Sequence, residues 1–235
     1  MAAVVAALVP CPTMLRRPLI AAAAALLLAL GLLAGCAGTP AATAPQAPAP
    51  TPAVVPTAAT PADTAAAGPE VTIKMDKGVV VVTLNTVKAP KTSANFLKLV
   101  ESGFYNGLRI HRVVPGFVAQ AGDPLTKGLG RQQLVDILAR QTAGTPTAKD
   151  PAVGTGGPGW SIPLEDTGLL HDRGVLAMAR SQDPDSAGSQ FYITLDAAHS
   201  LDGSYAVFGL VTSGMEVVDK LAVGDEIISA TVTKK

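Results

Sequence analysis

Most of the residues whose types and spacing suggest chemistry lie in three segments. These segments run over residues 103–123, 174–193 and 201–209. Arg112 carries a permanent charge and fixed hydrogen-bond donors, whereas Ser189 lacks the Gly-x-Ser-x-Gly surroundings of a hydrolase nucleophile. His111, His171 and His199 are widely spaced and show no metal-ligand pattern. The segments therefore indicate neither a hydrolase nucleophile nor a metal site, and Arg112 is a candidate hydrogen-bond donor.

Several motifs carry most of the pattern in these segments. They are Ile110-His-Arg-Val-Val114, Phe117-Val-Ala-Gln120, Gly174-Val-Leu-Ala-Met-Ala-Arg180, Ser186-Ala-Gly-Ser-Gln-Phe-Tyr-Ile193 and Leu201-Asp-Gly-Ser-Tyr-Ala-Val-Phe-Gly209. Together they resemble the signature segments of the cyclophilin family of peptidyl-prolyl cis–trans isomerases, and the resemblance extends from about residue 70 to the C-terminus. It implies a mainly β fold, a closed eight-stranded antiparallel barrel capped by two α-helices.

The activity that this resemblance implies makes two physical demands. Rotation about an X–Pro bond disrupts amide resonance against a barrier of about 18–20 kcal/mol, and no covalent bond forms or breaks. The catalyst must therefore bind the twisted imide more tightly than either planar form, and it needs no metal or cofactor. Because the imide nitrogen regains a lone pair in the twisted state, the site needs a donor beside that nitrogen and an apolar cup for the proline ring.

By resemblance, Arg112 is the catalytic arginine. The substrate-binding residues implied are Phe117, Val118, Tyr192 and Leu201 for the proline pocket, Ala179, Arg180, Ser181 and Gln190 for the rim around the residue before proline, Tyr205 for a further wall, and Gln120, which orients the arginine and the peptide. Periodicity alone leaves open that Phe117 and Val118 are ordinary core residues. It also leaves open that His111 is a packed or hydrogen-bonded strand residue.

The sequence departs from the family pattern at several of these places. Val118 stands where Met is frequent, and Arg180 where Asn is frequent. Tyr192 replaces a frequent Phe and adds a hydroxyl group that needs a partner or water. Ser200 aligns with a Trp or His of the family. The resemblance therefore implies a slightly shallower pocket that lacks one large wall.

Short β-rich runs separated by glycine turns must position these residues. The runs are predicted over residues 71–76, 79–84, 109–120, 175–179, 191–195, 206–211 and 227–232. Lys77-Gly78 predicts a hairpin between the first two runs. Helical spacing of apolar residues predicts one helix over residues 92–101, entered at Pro90, and a second over residues 214–222.

Residues 125–153 form an insertion between two stretches that are nearly adjacent in short family members. Leu134, Ile137 and Leu138 have helical spacing, which predicts a short helix over residues 132–140 near the mouth of the site. Gating of substrates, binding of a partner and decoration of the surface are all open as roles for this insertion.

Residues 1–36 predict a lipoprotein signal peptide. Arg16 and Arg17 precede an uncharged apolar run that ends in Leu33-Ala-Gly-Cys36. This ending resembles the lipobox of bacterial lipoproteins, which implies lipidation of Cys36 and an extracytoplasmic domain anchored to a bacterial membrane. A plain signal peptide or an uncleaved anchor is the alternative, and Met14 is an alternative start.

Composition separates the remaining chain into a linker and one domain. Residues 37–69 are almost entirely Ala, Pro and Thr, which predicts a disordered, semi-extended linker before the domain of residues 70–235. The 18 basic and 18 acidic side chains give no net charge, which excludes nucleic-acid binding through a bulk electrostatic footprint. Two cysteines exclude a disulfide scaffold, and nothing demands more than a monomer.

These observations together predict a membrane-tethered prolyl isomerase that acts on Pro-containing segments of exported proteins. Two alternatives remain open, a non-catalytic chaperone that binds proline segments on the same scaffold, and a scaffold whose insertion is the functional part. Arg112 and Gln120 favour the enzyme, because a pure binder has no need of a transition-state donor.

Overall fold

The computed structural model describes residues 68–235, so the predicted leader and nearly all of the predicted linker, residues 1–67, lie outside the described residues. The described part is mainly β, as predicted, and contains a nine-stranded sheet with antiparallel neighbours. The strands are β1 (Glu70–Met75), β2 (Gly78–Leu84), β3 (Leu108–Arg109), β4 (Arg112–Val114), β5 (Val118–Ala121), β6 (Val175–Met178), β7 (Phe191–Thr194), β8 (Val207–Ser213) and β9 (Glu226–Lys234). Their order across the sheet is β3-β9-β1-β2-β8-β6-β7-β5-β4.

The first two strands form the predicted hairpin. Val71 and Ile73 of β1 pair with Val82 and Val80 of β2, and all four side chains are buried in the core. Gly78 closes the turn at a φ of 145°, a backbone conformation that glycine adopts far more readily than other residues.

Alternation along the central strands separates two clusters of buried side chains. Phe191 and Ile193 of β7 belong to the large core, together with Phe96. Tyr192 lies between them on the opposite face of the strand and packs in a second cluster with Val118. One strand therefore supports the core on one face and the candidate site on the other.

The β-rich run predicted over residues 109–120 is wrong as a single element, because the structure divides it into β3, β4 and β5. Pro115 and Gly116 turn the chain between β4 and β5, with Gly116 at a φ of 67°. Ile110 and His111 separate β3 from β4. Proline lacks the N–H that a ladder needs, and glycine tolerates the left-handed turn, so a hairpin forms where one long strand was expected.

The closed eight-stranded barrel is not confirmed, because the sheet has nine strands in an open order with edges at β3 and β4. Only Ile110 and His111 separate β3 from β4, and the backbone N–H groups of these two residues bond to different parts of the sheet. The Ile110 N–H donates to the Asp225 carbonyl at 2.9 Å, whereas the His111 N–H donates to the Gln120 carbonyl at 3.1 Å.

The helices of the described residues are α1 (Pro90–Glu101), α2 (Arg131–Thr142) and α3 (Met215–Val218). The predicted entry of α1 at Pro90 is confirmed, and α3 is shorter than predicted. The first amides of α1 are capped from far along the chain, since Glu165 accepts hydrogen bonds from the N–H groups of Lys91 and Thr92 at 3.0 and 2.9 Å. Within residues 68–235, no helix is long and apolar enough to cross a membrane.

The insertion contains its predicted helix, α2. Leu134 and Ile137 are buried against Val153, which closes the insertion around a small core of its own. Arg131 at the start of α2 pairs with Asp76 and Asp225. These contacts hold α2 against the β1–β2 turn and the approach to β9.

Candidate functional site

A cavity of about 220 Å³ lies on the face of the sheet that carries Tyr192. Its lining consists of predicted site residues, namely Arg112, Phe117, Val118, Gln120, Ala179, Arg180, Tyr192, Leu201 and Tyr205. Strand register explains how separate segments meet there. Arg112 of β4 is opposite Gln120 of β5, which is in turn opposite Tyr192 of β7. Opposed residues of an antiparallel ladder share a face, so these three side chains form one row.

A chain of hydrogen bonds extends from Arg112 through two glutamines. Arg112 Nη1 donates to Gln120 Oε1 at 3.5 Å, and Gln120 Nε2 donates to Gln190 Oε1 at 3.0 Å. Gln190 Nε2 donates to the carbonyls of Gly154 and Gly156 at 3.0 and 2.8 Å. Because Arg112 is exposed, its guanidinium is accessible to a ligand in the cavity, and among the described residues its one side-chain hydrogen bond is the long one to Gln120.

Buried Asp123 holds the glycine loop, residues 154–158, whose carbonyls accept the last hydrogen bonds of this chain. Its carboxylate accepts from the N–H groups of Leu125 at 2.8 Å and Gly156 at 3.4 Å, and also from that of Gly154. These bonds compensate the cost of removing a carboxylate from water. Sequence reasoning missed Asp123, although its place at the start of the insertion, with the glycine-rich stretch at the other end, was an available signal.

Ser181 and Gln190 line a second, adjoining cavity of about 290 Å³ rather than the first one. Gln120, Ala179 and Arg180 line both cavities and so form the divide between them. The loop of residues 154–158 and Trp160 contribute much of the lining of this second cavity. The predicted helix α2 lines neither cavity, and it is the loop after it that reaches the site.

The hydroxyl group of Tyr192 has the partner that the sequence required, and the partner is His171. The Tyr192 Oη to His171 Nε2 distance is 2.9 Å, and His171 Nδ1 lies 2.8 Å from Asp202 Oδ1. Burial raises the pKa of Tyr192 and lowers the pKa of His171. Burial alone raises the pKa of Asp202, but the hydrogen bonds from His171 outweigh it and the net shift is downward. Sequence reasoning missed both His171 and Asp202.

Arg180 and Tyr205 form the rim of the first cavity. Arg180 Cζ lies 4.7 Å from the centroid of the Tyr205 ring, a cation–π arrangement. Arg180 Nε also donates to the Ser204 carbonyl at 2.9 Å. The guanidinium thus lies over the ring and is held there by the hydrogen bond to the Ser204 carbonyl.

The other polar candidates of the sequence occupy structural places. Ser189 is buried and donates to the Gly122 carbonyl at 2.7 Å, as expected of a residue that is not a nucleophile. His111 is a buried, packed residue, and burial lowers its pKa. Ser200 is exposed in the turn before Leu201. In the described part of the chain, no cluster of three or more His, Cys, Asp or Glu side chains is arranged to hold a metal ion.

The fold and the site define a mainly β domain in which an oriented arginine faces an aromatic-walled cavity. The profile of the cyclophilin type peptidyl-prolyl cis-trans isomerases matches residues 70–234. The chain therefore belongs to the cyclophilin family of peptidyl-prolyl cis–trans isomerases, and the resemblance drawn from the motifs is confirmed.

Individual relatives agree with this assignment. A probable peptidyl-prolyl cis-trans isomerase of Brucella suis is 41% identical over 170 residues, which cover 71% of this chain and 79% of that protein. Peptidyl-prolyl cis-trans isomerase B of Bacillus subtilis is 41% identical over 139 residues, or 58% of this chain and 78% of that protein. The crystal structure of a Cryptosporidium parvum cyclophilin, determined in the presence of the dipeptide Ala-Pro, has a TM-score of 0.56 at 26% identity. The match covers 71% of this chain and 99% of the Cryptosporidium parvum chain.

Proposed function

We propose that this cyclophilin-type isomerase works by donation from Arg112 to the nitrogen of the twisted imide, with the proline ring held against Val118 and Tyr192. The row of Arg112, Gln120 and Tyr192 carries the proposal, because it sets an oriented cation beside an apolar wall. A hydrogen bond from a charged donor contributes about 1.5–3 kcal/mol. Because that lone pair exists only in the twisted state, this stabilisation accelerates rotation. One chain supplies every member of the row, so a monomer suffices.

Exchange of a short Ala-Pro peptide, followed by NMR, tests the mechanism on the full chain. Arg112→Ala is expected to lower kcat/KM by at least about tenfold, a loss of about 1.4 kcal/mol of transition-state stabilisation. Lys74→Ala is the matched control, because it removes an exposed cation on β1, a strand that lines neither cavity. Unchanged catalysis in Arg112→Ala would refute the arginine mechanism. Peptide binding without any acceleration in the parent chain would favour the non-catalytic binding module.

We propose that the protein is a lipoprotein whose domain acts on Pro-containing segments of exported proteins. The support is the sequence pattern that ends at Cys36, which lies outside the described residues. Mass spectrometry of the protein from bacterial membranes is expected to show cleavage before Cys36 and an acylated N-terminus. Cys36→Ser should lose the lipid, whereas Cys11→Ser, the other cysteine, should keep it. An N-terminus that still contains residues 16–35 would refute the lipoprotein assignment.

We propose that β3 and β4 act as one strand that closes the sheet into an eight-stranded barrel. The support is the change of partner at Ile110 and His111, together with a bond from the Gly224 N–H to the Ile110 carbonyl at 2.8 Å. Backbone amides in a closed ladder exchange slowly with solvent. Hydrogen exchange at Ile110 and His111 should therefore be as slow as within β5, and fast exchange there would mean that the sheet stays open.

A further inference from the structure

Three polar side chains lie behind one wall of the first cavity, the proposed proline site, and are connected in a chain. Tyr192 Oη, His171 and Asp202 are connected by hydrogen bonds of 2.9 and 2.8 Å, and the His171 side chain is completely buried. The rings of His171 and Tyr192 are nearly parallel, at 17°, with centroids 6.0 Å apart. Such an arrangement restricts the rotation of both rings.

The direction of each hydrogen bond follows from the chemistry of the groups. The Asp202 carboxylate accepts only, so His171 carries its proton on Nδ1 and donates it to Asp202. His171 Nε2 is then an acceptor, and the Tyr192 hydroxyl donates to it. The backbone N–H of His171 donates to the same carboxylate oxygen at 2.7 Å, which further fixes Asp202.

His171 also connects two walls of the cavity that belong to different parts of the chain. Tyr192 lies on β7, whereas Leu201 lies in the turn of residues 199–201. The His171 carbonyl accepts from the Ala198 N–H at 2.7 Å, and the Leu201 N–H donates to the Ala198 carbonyl at 2.9 Å. Because Asp202 directly follows Leu201, the turn is attached to His171 on both of its sides.

We propose that His171 is a positioning residue for isomerisation, which holds the Tyr192 ring and the Leu201 turn at the separation that a proline ring requires. The proposal rests on the proposed function of the cavity. His171 does not touch the substrate, since it is buried behind the wall and acts through Tyr192 and Asp202. The sequence carries Tyr at position 192, and the hydroxyl of that residue makes the connection possible.

A double-mutant cycle on the full chain tests this role. Tyr192→Phe keeps the ring and removes the hydroxyl. His171→Asn keeps an N–H donor for Asp202, but its shorter side chain has no acceptor at the position of His171 Nε2. Each is expected to raise KM for an Ala-Pro peptide by about threefold to tenfold, the factor that corresponds to one ordinary hydrogen bond, with kcat nearly unchanged. The double variant should be no worse than either single variant, because both changes remove the same bond. Additive losses would overturn the proposal.

Two further measurements separate a positioning role from a merely structural one. Tyr105→Phe removes another buried tyrosine hydroxyl, which donates to the Ser189 carbonyl at 3.1 Å. Tyr105 itself lines neither cavity, so this change should lower stability without changing KM. The imidazole ¹⁵N spectrum of the parent should show the proton on Nδ1, and its Nε2 signal should shift when the Ala-Pro peptide binds. A proton on Nε2, or an equal change of KM in Tyr105→Phe, would contradict the proposal.

Failure of the proposed function has a different signature. If the parent chain shows no turnover, the isomerase mechanism fails, and the same cycle is then measured as peptide affinity by titration. Weaker binding in Tyr192→Phe and His171→Asn without additivity would still support the positioning role. Unchanged affinity in both variants would overturn it.

Discussion

Gly156 is the place where one added methyl group tests how the glycine loop is held against the site. A Cβ at this position would lie 2.1 Å from Asp123 Oδ1 and 2.9 Å from Leu125 Cγ. Asp123 is completely buried, so its carboxylate has no solvent to move into and must give up bonds that it accepts from the backbone. Gly157 is the matched control, because a Cβ there meets nothing within 4 Å.

The expected magnitude follows from those contacts. Hydrogen bonds to a charged group contribute about 1.5–3 kcal/mol each, and displacement of the Asp123 carboxylate weakens more than one of them. We therefore expect Gly156→Ala to lower the free energy of unfolding by about 2–4 kcal/mol. Gly157→Ala should change it by less than about 1 kcal/mol in either direction. Because Gln190 donates to the Gly156 carbonyl, kcat/KM of folded Gly156→Ala should also fall, by about tenfold.

Urea denaturation provides the assay, with the fluorescence of Trp160, the only tryptophan of the sequence, as the signal. Far-ultraviolet circular dichroism checks that the loss of secondary structure has the same urea midpoint as the change in fluorescence. Isomerase activity is then measured well below the midpoint, where both variants are folded. Equal stability of Gly156→Ala and Gly157→Ala would refute the reasoning, because it would mean that the Asp123 carboxylate moves without cost.

Two further predictions concern stability. Burial lowers the pKa of His111 and of His171, so below about pH 6.5 the unfolded chain binds more protons than the folded one, and the free energy of unfolding decreases as the pH falls. Thermal melts between pH 7 and 5 should show a smaller decrease in His111→Leu, and an unchanged decrease would contradict this. Arg131→Met should cost about 1–3 kcal/mol, because it leaves the completely buried side chain of Asp225 without its ion-pair partner. Arg173→Met breaks a pair exposed at both ends and should cost less than about 1 kcal/mol, and equal urea midpoints for the two variants would show that burial of the partner is irrelevant.

Local patterns were sufficient for the elements whose contacts are close in sequence. The Lys77-Gly78 turn and its apolar flanks predicted the β1–β2 hairpin, and Pro90 with the apolar spacing after it predicted α1. The spacing of Leu134 and Ile137 predicted α2 and its buried face. In each case the determining interactions lie within a few residues, so the sequence displays them directly.

Long-range contacts were outside the reach of such patterns. The cap of α1 comes from Glu165, 73 residues after Thr92. The run over residues 109–120 looks continuous in composition, but Ile110 and His111 turn to different partners in the sheet. The helical stretch predicted over residues 214–222 ends as an α-helix at Val218, and the N–H groups of Lys220 and Leu221 bond to carbonyls three residues back instead of four.

The features of the candidate site also fall into those that the sequence predicted and those that only the tertiary structure decided. The types and motifs of Arg112, Gln120 and Tyr192 were visible in the sequence, together with the family that they indicate and the chemistry that we propose for an arginine beside an apolar wall. Strand register, which only the tertiary structure decides, set these residues in one row. The tertiary structure also placed Ser181 and Gln190 in the lining of the neighbouring cavity. The same holds for the glycine loop on Asp123 and for His171 behind Tyr192. Residue chemistry is a local property, whereas register and buried polar partners depend on which distant segments approach when the whole core is buried.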